Sequence, residues 1–178
     1  MEKAGPITDP SDIEYIRANF IDIRTFAEHL GETVDSVFKR IEAGELPAPS
    51  YVFDDGTPYF PAHSHDLVCE RDLFVLRALA EAKRKNLEYA EDDALRDWNA
   101  FMGGGFSVCL KRATPENIIK KETLMRRIDS LREALHDAVD ELDELELPFS
   151  PVFDQIRFGL PPSRVRYITN IRERFPRA

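Results

Sequence analysis

Cysteine is scarce: Cys69 and Cys109 are the only two in 178 residues. That excludes a disulfide scaffold, and the chain is long enough to bury a core without one. Both are expected as buried thiols. Long apolar runs are also missing, and no stretch approaches the roughly 18 residues that cross a bilayer. The opening MEKAGPITDP has no basic-then-apolar signal pattern, so the expectation is a cytoplasmic protein with no membrane partner. Positive charge is short as well, with 24 Lys and Arg against 33 Asp and Glu, net −9. Affinity for DNA comes largely from cations that displace counterions, and this chain lacks that footprint.

The deficit is uneven. Residues 1–62 carry 12 acidic and 5 basic side chains, net −7, whereas residues 63–178 are at net −2. Glu133 to Glu146 holds seven acids and no Lys or Arg, and Arg157 to Ala178 holds six arginines against Glu173. Opposite runs of this kind either attract one another, within one chain or across a dimer, or form two solvated faces that never meet.

Stop and start signals divide the chain into helices. SDIE, Ser11 to Glu14, has capping-box spacing and predicts a helix to about Asn19 that buries Ile13 and Ile16. Asp22 caps a helix over Ile23–Leu30, which Gly31 ends. Thr33 caps another over Val34–Ala43, with Val37, Phe38 and Ile41 on its inner face, and Gly44 stops it. SYVFDDGTPYF reads as a hairpin around Asp-Gly. Helical patterns follow over Asp66–Asn86, where Leu73, Leu76, Leu79 and Ala80 share a face, and over Glu91–Met102, with Leu95, Trp98 and Phe101 inward. GGGFSVCL is a short strand or a loop. Thr114-Pro115-Glu116 is a strong helix start.

From there to Glu146 no breaker appears. Leu124, Ile128, Leu131, Leu135, Ala138, Leu142 and Leu145 are spaced alternately four and three, a heptad seam. A single helix would span about 45–50 Å at 1.5 Å per residue. Its stripe needs a partner, either another helix of the chain or a second copy, so a homodimer is one expectation. A last helix is predicted over about Ser163–Phe175.

The order of elements over residues 22–61 resembles the winged helix-turn-helix of the MerR and excisionase families. The resemblance implies that Val34–Ala43 is a recognition helix, with Lys39 and Arg40 as its cations. MerR-type regulators follow this module with a long dimerisation helix, which Pro115 to Glu146 imitates. The expected fold is therefore mainly α. A winged helix-turn-helix-like unit with one β-hairpin occupies 1–62, and a helical domain over 63–178, separate or one compact body with the first, is organised by one long heptad-patterned helix.

A second resemblance runs through more of the chain. FIDIRTFAEHLG, LPAPSY, WNAFMGGGFSVCLKRATPENIIKKE, PFSP and Ser163-Arg164 resemble segments of a family of uncharacterised small proteins labelled as natural-product biosynthesis proteins. The resemblance implies a role in or near such a pathway and supplies no reaction.

Few constellations suggest chemistry. Cys109 lies near Lys111, Arg112, Lys120 and Lys121, and cations beside a thiol favour the nucleophilic thiolate. Glu116, Lys121 and Glu122 could line a polar pocket with Trp98 and Arg164, or simply sit on a solvated face. His63, His65, Asp66 and Cys69 fit no zinc-finger spacing, so no metal is assigned. GGGFS lacks the Gly-Lys-Ser/Thr ending of a phosphate loop, although its amides beside Lys111 and Arg112 could hold an anion. No cofactor is expected. The leading expectation is an accessory or binding protein of natural-product biosynthesis that recognises a protein, peptide or small molecule. The alternatives are a dimeric MerR-like DNA-binding regulator, against which the charge argues, and a small enzyme using Cys109 or the Glu/Lys pocket.

Overall fold

The computed structural model describes residues 7, 9–63, 69–130, 135–146 and 164–174; the side chains of 129, 130, 135, 136, 164–166 and 174 lie outside the description. Helix α1 (Pro10–Asn19) starts earlier than the capping box predicts. Asp9 is its cap, accepting from the Ser11 amide at 2.8 Å and the Ser11 hydroxyl at 2.6 Å. Pro10 takes the first helical position, where its missing N–H costs no bond.

Strand β1 (Phe20–Asp22) follows at once, an element with no signal of its own in the sequence. It pairs antiparallel with β3 (Pro58–Pro61), which also pairs with β2 (Tyr51–Val52), giving the order β1-β3-β2. Between β1 and β2 lie α2 (Ile23–Leu30) and α3 (Val34–Glu42). Asp22 ends β1 and caps α2, accepting from the Arg24 and Thr25 amides at 3.0 and 2.9 Å. Gly31 ends α2 at φ 68°, the left-handed conformation that glycine adopts without strain. Thr33 caps α3 through the Ser36 amide at 3.2 Å. The two helices and β3 enclose Phe26, Ala27, Val37 and Phe60, with the Phe26 and Phe60 rings stacked 4.1 Å apart. Phe38 departs from expectation: it is 41% exposed, and α3 fully buries Val37 alone.

The next helices are α4 (Arg71–Arg84), α5 (Glu91–Met102), α6 (Pro115–Ser130) and α7 (Leu135–Leu145), with a 3-10 turn at Phe106–Val108. On α4 the buried face carries Phe74, Ala78 and Ala82, while Leu76 is 65% exposed. Aromatic packing sets that rotation: the Phe74 ring centroid is 5.4 Å from Trp98 and 5.3 Å from Phe101.

The single long helix expected from Pro115 to Glu146 is two helices. Lys121 on α6 and Glu146 just after α7 are 3.0 Å apart, whereas 25 residues of straight helix would hold them about 37 Å apart. The seam therefore closes on itself. Leu124 and Ile128 of α6 pack with Ala138, Val139 and Leu142 of α7 in one buried cluster. A heptad stripe fits this as well as it fits a dimer, because either gives each half a facing stripe. Leu131 lies outside the described residues.

A π-helical turn over Arg164–Thr169 runs into α8 (Asn170–Arg174) and packs Tyr167 and Ile168 on the same cluster. Arg172 reaches Asp140 at 3.0 Å and Asp143 at 2.9 Å. At this arginine the acidic run and the basic tail meet within one chain. No helix among the described residues is long and apolar enough to cross a membrane.

The glycine run is a packing joint. Gly104 has φ 80°, and a Cβ there would stand 3.1 Å from the Ala48 carbonyl oxygen and 3.2 Å from that of Pro49. The Ala48 amide donates to the Met102 carbonyl at 2.7 Å. Val108 shares a buried cluster with Tyr15, Ile16, Phe20 and Tyr51. The sheet and the helical body thus share apolar burial at this joint.

Candidate functional site

The most chemically distinctive cluster lies where α6, the end of α7 and the 3-10 turn meet. The turn leaves Cys109 half-buried, its thiol 3.4 Å from the Phe106 carbonyl. An isolated β-bridge pairs Leu110 with Glu146, and the Lys111 amide donates to the Leu145 carbonyl at 3.0 Å. This short pairing brings the Glu146 carboxylate, 2% exposed, toward α6. Lys121 projects from α6 between them. Its ammonium donates to the Cys109 sulfur at 3.0 Å and lies 3.0 Å from Glu146 Oε1. Burial pulls the Lys121 pKa down, but the charges and hydrogen bonds of Cys109 and Glu146 outweigh it and hold it above the ordinary lysine range. The cluster is a buried cation in polar contact with both a carboxylate and a sulfur.

The other residues singled out in the sequence go elsewhere. Glu116 forms a two-bond fork with Arg77 at 2.6 and 2.8 Å. Burial pushes its carboxyl up, but the Arg77 bonds and charge prevail and hold it below the usual range. Glu122 pairs with Arg126 one turn on at 2.8 Å. The Lys111 ammonium donates to the Glu144 carbonyl at 2.8 Å. Trp98 packs edge-on to Phe74. Arg164 starts the π-helical turn, and its side chain lies outside the described residues. Of the expected pocket, only Cys109 and Lys121 touch through polar atoms in the described contacts. Glu146 has no local sequence signal, since its place depends on how α7 packs against α6.

The anion reading of GGGFS is overturned by its hydrogen bonds. The amides of Gly103, Gly104 and Gly105 donate to Asn99, Phe101 and Ala100 at 3.0, 2.9 and 2.8 Å. An anion would have to displace these backbone bonds. Of the suggested metal ligands, His65 and Asp66 lie outside the described residues.

Among the described residues are two open clefts. One of about 240 Å³ includes Asn19, His63, Ser107 and Lys111 in its wall, where β1 and β3 meet the 3-10 turn. The larger, of about 520 Å³, runs between the start of α2, α3 and the β2–β3 loop. Its apolar wall includes Ile23, Val34, Phe38 and Tyr59, and its charged rim has Asp22, Asp55 and Arg24. Asp22 and Asp55 accept backbone N–H bonds, chiefly from Thr25 and Thr57, which hold both carboxyls below the usual range. The cations of α3 fare differently. Lys39 is exposed. Arg40 is tied to Glu32 and, at 3.2 Å, to Glu45.

The molecule is thus a mainly helical protein with a three-stranded antiparallel sheet, an acidic-rimmed cleft beside that sheet, and a buried Cys–Lys–Glu cluster in the helical body. Residues 68–176 match the family of unknown function DUF6058, and the chain belongs to that family. The matched span includes Cys109, Lys121 and Glu146, and the large cleft lies before it. No curated protein and no solved structure matches the chain.

Proposed function

We propose that the protein is a binding or accessory protein of natural-product biosynthesis. Its α2–α3 and hairpin face holds a protein or peptide segment that carries an apolar side chain beside a positive charge. The observation that carries this reading is the large cleft. Phe38, an aromatic on a helix whose inner face is otherwise apolar, is 41% exposed and lines that cleft, with Asp22 and Asp55 at its rim. An exposed aromatic in the wall of a cleft is a characteristic anchor of a recognition site. With two carboxylates against the single Arg24 guanidinium, the rim favours cationic partners over phosphates. The biosynthetic setting rests on the resemblance of the WNAFMGGGFSVCLKRATPENIIKKE segment and its companions.

The order helix, helix, hairpin favours a second reading, a dimeric MerR-like DNA-binding regulator. Two features count against it. Arg40, one of the two cations of the would-be recognition helix, is already neutralised by Glu32 and Glu45. The wing-like loop contributes Asp55 to the cleft, where a wing that touches phosphate needs a cation.

A peptide-display selection against the full chain tests the proposal. Enriched sequences should carry Lys or Arg next to a large apolar residue, and Phe38→Ala or Asp55→Lys should abolish the enrichment. No enrichment, or enrichment unchanged in both variants, contradicts it.

A further inference from the structure

We propose that Cys109 and Lys121 are a site of oxidative cross-linking: a hydroperoxide converts the Cys109 sulfur to the sulfenic acid, and the Lys121 amine traps it as a sulfenamide while Glu146 takes up a proton. This is independent of the cleft and of its ligand.

Geometry carries the argument. The Lys121 nitrogen is already 3.0 Å from the sulfur, held there by Glu146 on its other side. Cys109 as a residue is half-buried and keeps some contact with solvent, whereas Lys121 and Glu146 are 9% and 2% exposed. A sulfenic acid formed here therefore has an amine against it before any second thiol arrives. The other cysteine, Cys69, packs against the separate cluster of Phe26, Val37 and Phe60, and burial raises its thiol pKa.

Both steps balance. The Cys109 thiolate attacks one oxygen of the hydroperoxide. An S–O bond forms, the O–O bond breaks, two electrons leave sulfur, and hydroxide (or alkoxide) departs. That step removes the sulfur's negative charge, one of the influences keeping Lys121 protonated against burial. Burial then favours the neutral amine, and Glu146 at 3.0 Å accepts the proton, becoming a neutral buried acid. The amine lone pair attacks sulfur, the N–S bond forms and the S–O bond breaks. Water leaves with the sulfenic oxygen and one amine hydrogen. The product has no buried ion, and it ties the 3-10 turn to α6 covalently.

The test uses the full chain carrying Cys69→Ser, which removes the competing disulfide, treated with a small excess of hydrogen peroxide. Intact-mass measurement should show monomer about 2 Da lighter, restored by dithiothreitol. Tryptic mapping should find peptide 97–111 joined to the peptide beginning at Lys121. With Lys121→Arg added, which keeps the positive charge, the loss should be replaced by gains of about 16 or 32 Da on Cys109. Mass gains alone in Cys69→Ser, with Lys121 recovered unmodified, overturn the proposal, as does a 2 Da loss that maps elsewhere. The peptide map of Cys69→Ser decides the matter whether or not Lys121→Arg folds.

Discussion

Lys121 and Glu146 meet at 3.0 Å although they stand 25 positions apart, and their contact fixes α6 against the end of α7. Both groups are nearly closed to water, so their charges rely on partners inside the protein. Removing one partner of such a buried pair leaves an uncompensated charge. Glu146→Leu should therefore cost about 3–5 kcal/mol in urea unfolding, and Lys121→Met with Glu146→Leu should recover most of it. Equal losses in the single and double variants would mean that the ion pair does not hold α7 against α6.

The same pair sets a pH dependence. The folded protein holds Lys121 above its ordinary pKa, so the folded state binds its proton more tightly than the unfolded chain does. The stabilisation is complete below the ordinary lysine pKa and is lost as pH rises through the higher folded value. Stability should fall in that alkaline window in the natural chain, and by less in the Lys121→Met, Glu146→Leu variant. Thermal melts across alkaline pH measure the difference.

Glu116 should show the opposite sign. Arg77 holds its carboxyl below the usual range, so its contribution is present above the ordinary carboxylate pKa and fades as pH falls through the folded value. Both side chains are more than a third exposed, and solvent screening limits the pair to about 0.5–1 kcal/mol. Glu116→Gln should be destabilised by that amount at neutral pH and match the natural chain in acid.

Leu142 and Leu76 separate the seam from the surface. Leu142 is fully buried between α6 and α7, and Leu142→Ala should cost about 2–5 kcal/mol. The loss should be the same at every protein concentration, because its partners belong to the same chain. Leu76→Ala should lie within about 0.5 kcal/mol of the natural protein. A concentration-dependent loss at Leu142 would instead return the seam to a dimer interface.

Gly104 tests the joint between the sheet and the helical body. At its positive φ any side chain is strained, and a Cβ would crowd the carbonyls of Ala48 and Pro49. Gly104→Ala should cost about 2–3 kcal/mol. Gly31→Ala should cost about 1 kcal/mol, since only its φ is at issue there. Urea midpoints of the two variants make the comparison.

What the sequence made legible was local. Asp22, Gly31 and Thr33 announce α2 and α3 because caps act within three residues of themselves. What escaped was decided by distant partners. Strand β1 exists because Phe20 to Asp22 meet β3 about 40 residues later. Phe38 carries a core-like spacing yet faces the cleft. The stripe from Leu124 to Leu145 contains no breaker, and its fold into two helices shows only in contacts such as Lys121 with Glu146. For the same reason the sequence suggests a cation near Cys109 without singling out Lys121 alone, and says nothing of Glu146.

The central claim is that the cleft beside Phe38 takes a cationic, apolar segment and not a polyanion. An NMR titration of the full isotope-labelled chain tests it most directly, using an arginine- and leucine-rich peptide and, separately, a random DNA duplex, both at low salt. The account predicts that the peptide shifts the amide signals of Phe38, Asp55, Gly56 and Tyr59 and that the duplex leaves them unmoved. Salt-sensitive shifts across Val34–Glu42 with the duplex, and none with the peptide, would contradict it.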